Sequence, residues 1–155
     1  YLFHTTHVSD PLTPAVGRAV LAVVHAARLV ARARTLGEKL FDELSRHQQR
    51  YECVGDVRGR GLFLGVEIVN DRRSKTADHA LGSAIAGEAL RRGLNMNIVK
   101  LPMMGGVFRI APPLTISEQE IDLGLDIMSA SIECGLAAIR TPRGGEISGD
   151  ARETQ

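Results

Sequence analysis

The stretch VGDVRGRGLFLGVEIV, residues 54–69, limits what this chain can fold into more than any other segment. Its β-branched and other apolar residues favour extended backbone, and Gly55, Gly59, Gly61 and Gly65 interrupt them. Glycine adopts conformations that other residues resist, so this spacing predicts a strand, a tight turn and a second, longer strand. The same glycines and arginines could wrap an anion. The pattern fits neither phosphate-loop nor dinucleotide fingerprints, however, and a strand rather than a helix follows it. The segment therefore reads as a structural turn, with Arg58 and Arg60 as surface or interface charges.

Around this hairpin the chain alternates helical and extended patterns. Val16, Val20, Val23, Val24 and Ala27, then Leu29, Leu36, Leu40 and Leu44, follow helical spacing and predict one long helix over about residues 14–46. Thr13 before Pro14 reads as its N-cap, and a kink near residues 25–29 is compatible with the pattern although no proline forces one. The polar run NDRRSKTADH is a surface loop, and residues 80–92 form an amphipathic helix closed by Gly93. LNMNIVKL and GVFRIAPP are short strands about Gly105 and Gly106. Ser117 and Glu120 make a capping box that opens a helix over residues 118–136. The polar, glycine-rich stretch from Thr141 onward has nothing to bury and reads as disordered. The order predicts an α+β fold: a small antiparallel or mixed sheet with helices on one side.

Composition excludes several classes of function. The 155 residues suit one domain, and 19 basic against 18 acidic residues give no field to attract nucleic acid or an anionic membrane. No apolar run approaches the roughly 20 residues of a membrane span. Cys53 and Cys134 are too few for a disulfide scaffold and point to a reducing, cytoplasmic compartment.

Two places carry chemistry. Arg109 lies in GGVFRIAPPL, between apolar neighbours and before a double proline. A guanidinium in such surroundings calls for an anionic partner, because an unpaired buried charge is costly. That partner is either one of the chain's own carboxylates or the carboxylate of a ligand, which the planar fork can grip through two bonds. The second place is HTTHVSDPL, residues 4–12. His4 and His7 lack zinc-site spacing. Thr5, Thr6, Ser9, Asp10 and the extended carbonyls instead suit a hard cation or a phosphate, completed by groups from elsewhere.

Taken together, TTHVSDPL, DVRGRGLFLGVEIV and GLNMNIVKLPMMGGVFRIAPPLTISEQEIDLGL resemble the C-terminal portion of the class III, fold-type I pyridoxal-phosphate enzymes, over about residues 2–136. Within that class they are most similar to the 2,2-dialkylglycine decarboxylases. The Thr-His-Val-Ser-Asp and Gly-Gly-Val-Phe-Arg-Ile-Ala-Pro-Pro-Leu segments set these apart from ornithine and 4-aminobutyrate aminotransferases, whose matching loop is closer to Ser-Thr-Tyr-Gly-Gly-Asn-Pro.

The resemblance implies that residues 1–12 form a loop at a dimer interface and residues 13–48 a helix linking to a large domain. Residues 49–138 would be the C-terminal small domain and residues 139–155 a disordered tail. It implies that Thr6 binds the phosphate of pyridoxal 5'-phosphate in a neighbouring subunit. Thr6, Val8 and Asp10 would lend oxygens to an alkali cation, potassium or sodium, and Arg109 would hold the substrate carboxylate. The implied reaction is decarboxylation of a dialkylglycine to a ketone and carbon dioxide, coupled to conversion of pyruvate to alanine, in a dimer or dimer of dimers. The alternatives are a class III ω-aminotransferase and a non-catalytic α+β interaction module. The family's Schiff-base lysine would lie upstream, since Lys39, Lys75 and Lys100 do not match it. The chain is thus expected to be a C-terminal fragment, with no catalytic residue of its own and inactive alone.

Overall fold

A computed structural model describes residues 10–99 and 106–140. Eight elements follow in order: α1 (Leu12–Ala26), α2 (Leu29–Arg50), β1 (Val54–Arg60), β2 (Phe63–Ile68), α3 (His79–Arg91), β3 (Ile98–Val99), β4 (Val107–Ile110) and α4 (Glu118–Arg140). The strands form one antiparallel sheet in the order β1-β2-β4-β3.

The hairpin is as short as its glycines suggest. Gly61 and Leu62 alone join β1 to β2, and Gly61 sits at φ +56, the left-handed conformation that a two-residue hairpin turn needs. Strand β2 has 6 residues against 7 in β1, so the second strand is not the longer one. Along β2, Leu64, Val66 and Ile68 are buried and alternate with Phe63, Gly65 and Glu67, as a sheet covered on one face requires. Phe108 of β4 pairs with Val66 and is fully buried, so it joins the same inner face.

Helices α2, α3 and α4 cover that inner face. Leu36, Leu40 and Leu44 of α2 pack with Val54, Val66, Ile68, Ile85, Phe108, Ile121, Met128 and Ile132 in one apolar cluster. At Gly37 the helix touches the hairpin turn directly: a Cβ there would lie 2.3 Å from the Gly61 carbonyl carbon. Only glycine permits that approach.

The single long helix expected over residues 14–46 is two helices, bent by 58° at Ala27 and Arg28. Arg28 adopts φ 48 and ψ 41, a left-handed conformation that ends α1 and turns Leu29 into the core. Helix α1 also starts earlier than its sequence suggested. Pro11 rather than Thr13 occupies the N-cap position, and the Leu12 N–H donates to Asp10 Oδ1 at 2.9 Å. The short polar side chain two residues back serves as the cap.

The other helix ends follow their signals. Asp78 Oδ1 accepts from the Leu81 N–H at 2.8 Å and caps α3. At the far end Gly93 takes φ +94, while Gly93 N–H donates to Leu90 O and Leu94 N–H to Ala89 O. This is the paired closing bond pattern that a glycine after a helix allows. Ser117 and Glu120 open α4 reciprocally, and the helix runs on to Arg140, past the expected end at residue 136. Among the described residues no single helix is long and apolar enough to cross a membrane.

Candidate functional site

A hollow of about 610 Å³ lies where the exit of β4 passes the first turns of α4. Its apolar wall comes from Leu40 and Leu44 of α2 and from Ile121, Leu125 and Met128 of α4. The opposite wall is the backbone run Ile110-Ala111-Pro112-Pro113, and Arg109, Asn95, Asn97 and Glu120 bring polar groups to it. Pro112 and Pro113 have no N–H to continue a ladder, so β4 must stop at Ile110 and the chain turns along the hollow. The turn is then tied down twice. The Ile116 N–H donates to Pro113 O at 3.0 Å, and the Arg32 guanidinium of α2 donates to the Ile116 carbonyl.

Helices α2 and α4 are braced beside this turn by Lys39, whose Nζ lies 2.7 Å from Asp122 Oδ1 and 3.7 Å from Glu118 Oε2. Hydrogen bonding to Asp122 holds the Lys39 ammonium above its ordinary pKa, with the charge of Glu118 acting the same way. Glu120 accepts at one oxygen from both the Ser117 N–H and the Ser117 hydroxyl, each at 2.7 Å. The backbone N–H, followed by the hydroxyl, keeps its carboxyl below the usual carboxylate range. The hollow therefore carries a fixed anion at the start of α4.

Arg109 occupies the other edge. Its strand register sets its surroundings: Arg58, Gly65 and Arg109 lie side by side across β1, β2 and β4 on the face away from the core. Arg58 is neutralised there, with Nη1 2.6 Å from Asp56 Oδ2 and 3.8 Å from Glu67 Oε2. Arg109 is exposed and makes no ion pair or hydrogen bond with any described residue. The expectation of a guanidinium enclosed by apolar neighbours is thus corrected. Alternation along β4 sends Phe108 inward and Arg109 outward, so no internal carboxylate is required. The result is a cation on a rigid strand, without side chain at the Gly65 position beside it, at the mouth of an apolar hollow.

The remaining candidates divide by position. Thr6, Val8, His4, His7 and Lys100 lie outside the described residues. Asp10 lies at their edge, where its carboxylate caps α1. A Schiff-base role requires a neutral amine with access to a ligand, and neither described lysine provides it. Lys39 is tied between two carboxylates, and Lys75 stands at φ 52 in the exposed loop after β2. Sequence reading passed over Asn95 and Asn97. Their alternation with Leu94, Met96 and Ile98 was the available signal, since it exposes both amides on the side away from the core cluster.

Comparison with known proteins matches residues 3–132 to the family described as Aminotransferase class-III. An uncharacterized aminotransferase of Schizosaccharomyces pombe is 42% identical over 85% of this chain, which covers 30% of that protein. A leucine/methionine racemase of Thermococcus litoralis is 33% identical over 82% of the chain, covering 28% of that protein. Among solved structures, a PLP-bound amine transaminase from an uncultivated Pseudomonas species superposes with a TM-score of 0.75 at 30% identity. That likeness spans 86% of this chain and 30% of the transaminase. The chain therefore spans less than a third of the length of these relatives.

Proposed function

The chain belongs to the class III aminotransferase family, and from that premise we propose that it is the C-terminal portion of a pyridoxal-phosphate enzyme acting on an amino acid and a 2-oxo acid. In this reading residues 13–48 link to a large domain, and the small domain begins at residue 49 and ends with α4 at Arg140 rather than at residue 138. The chain's own contribution is Arg109, which binds and orients the substrate carboxylate through two parallel hydrogen bonds. The observation that carries the reading is the exposed Arg109 guanidinium, paired with no described residue, on a rigid strand beside the 610 Å³ hollow.

The finer assignment is a 2,2-dialkylglycine decarboxylase using pyruvate as amino acceptor. The segments THVSD and GGVFRIAPPL support it by their resemblance to that group. In the same assignment Thr6 contacts the cofactor phosphate of a neighbouring subunit in a dimer or dimer of dimers. Thr6, Val8 and Asp10 bind potassium or sodium, the enzyme is cytoplasmic, and the 155-residue chain is inactive alone. A second reading, an ω-aminotransferase, is favoured by the likeness to the solved amine transaminase. 2-Aminoisobutyrate separates the two, because it has no α-hydrogen: carbon dioxide release supports the decarboxylase and its absence supports the aminotransferase.

The decisive test is made on the complete enzyme that carries this chain. Losing one partner of a desolvated charge pair costs about 2–5 kcal/mol. Arg109→Ala should therefore lower kcat/KM at least about a hundredfold. Arg109→Lys should recover only part of that, because an ammonium is a point charge. Melting temperature should be nearly unchanged in both, since the side chain is exposed and pairs with no described residue. Parental kcat/KM in Arg109→Ala would remove the residue from the substrate site.

A further inference from the structure

Away from that hollow, the last turns of α2 meet α4 through a histidine and a serine. His47 is 9% exposed. Its Nδ1 lies 2.8 Å from the Glu43 carbonyl oxygen, which can only accept, so in the neutral ring Nδ1 carries the hydrogen. Nε2 is then the acceptor, and it lies 2.5 Å from Ser129 Oγ, whose hydroxyl donates. The base is thus oriented by a third group, the arrangement by which an alcohol is made nucleophilic. A hollow of about 270 Å³ opens at this pair, lined by Glu43, Arg46, Arg50 and Asp126 beside His47 and Ser129, with Arg46 paired to Glu43 and Arg50 to Glu133.

The other described serines are spent differently. Ser45, Ser83 and Ser131 donate to the carbonyls of Phe41, His79 and Ile127 at 2.7, 2.6 and 2.7 Å. Ser74 and Ser117 donate to the carboxylates of Asp71 and Glu120 at 2.5 and 2.7 Å. A carbonyl cannot accept a proton in a neutral solution reaction, and a carboxylate is a weaker base than imidazole. Only Ser129, among the described serines, faces a base suited to take its proton.

We propose that Ser129 is an activated nucleophile and the acylation site of this chain, taking activated esters as its substrate class. Ser129 Oγ attacks the ester carbonyl carbon and forms the new C–O bond while its proton passes to His47 Nε2. The bond to the leaving alcohol then breaks with its electron pair on oxygen, and His47 returns the proton to that alcohol or to water. This acylation requires neither Arg109 nor a cofactor and stands apart from the aminotransferase reading.

The test uses the complete enzyme, p-nitrophenyl acetate as the ester, and mass spectrometry of the digested protein at successive times. Ser129 should be acetylated at least about tenfold faster than Ser45 or Ser83, which lie on the same or neighbouring helices. His47→Gln should slow Ser129 at least about tenfold, as removal of a general base does, and leave Ser45 and Ser83 unchanged. Acetylation of Ser129 in the parent protein no faster than that of Ser45 and Ser83 overturns the proposal. That ranking needs no variant, so it decides the matter even if His47→Gln does not fold. A folded His47→Gln protein that labels Ser129 at the parental rate overturns it as well.

Discussion

Helices α1 and α2 follow one another and share an aliphatic spacing, yet only α2 belongs to the core. In α1, Leu12, Val16, Val20, Leu21 and Val23 are each more than half exposed, and no residue is buried. In α2, Leu36, Leu40 and Leu44 are at most 5% exposed, and Gly37 lets the helix backbone rest on the hairpin turn. The opposite face of α2 carries Arg34, Glu38 and Asp42, whereas Arg18 is the only Asp, Glu, Lys or Arg in α1. Apolar spacing announces that a helix has a face to bury. It does not say that the chain in hand contains the surface to bury it against.

Substitutions in the two helices should differ sharply, and the largest effect should come from the α2 stripe. Leu44→Ala should cost about 2–5 kcal/mol in denaturant unfolding of the 155-residue chain, because it opens a cavity in a tightly filled core. Val20→Ala in α1 should stay within about 0.5 kcal/mol. Equal losses at the two positions would show that α1 is packed in solution.

Gly37→Ala should come next, at about 1–3 kcal/mol, since the new methyl group must push the hairpin backbone away. A neutral outcome in the same unfolding measurement would mean that the helix and the turn are not in contact. The smallest effect should have the opposite sign. Nothing lies within 4 Å of a Cβ at Gly17 in α1, so Gly17→Ala should raise stability by about 0.5–1 kcal/mol through helix propensity alone. A loss there would reveal a surface closed over α1.

What could be read in the sequence was mostly local. The hairpin glycines, the Ser117–Glu120 box and Gly93 act within a few residues, and each fixes its turn or cap where the pattern places it. The break at Arg28 was harder, because arginine is not a residue that favours the left-handed conformation; the demand comes from Leu29, which the core pulls inward. The outward position of Arg109 follows from strand alternation, because its apolar neighbours in sequence are not its neighbours in space. The pairing of His47 with Ser129 joins residues 82 positions apart, and no local pattern reports it. The family resemblance supplied the roles of Thr6, Val8 and Asp10, which residue chemistry by itself left open between a cation and a phosphate.

The contact between Gly37 and Gly61 has a mechanical consequence. It locks α2 to the sheet as one stiff body, so the helix cannot yield along its own length when α1 is loaded. Any bending must be taken up at the bend around Arg28, which then acts as a fulcrum. Helix α1, with 15 residues, is a lever of about 22 Å. A rotation of about 10° at that fulcrum carries its free end, and the residues leading into it at Asp10, through about 4 Å. The two glycines thus set the stiffness with which α1 is held relative to Arg109.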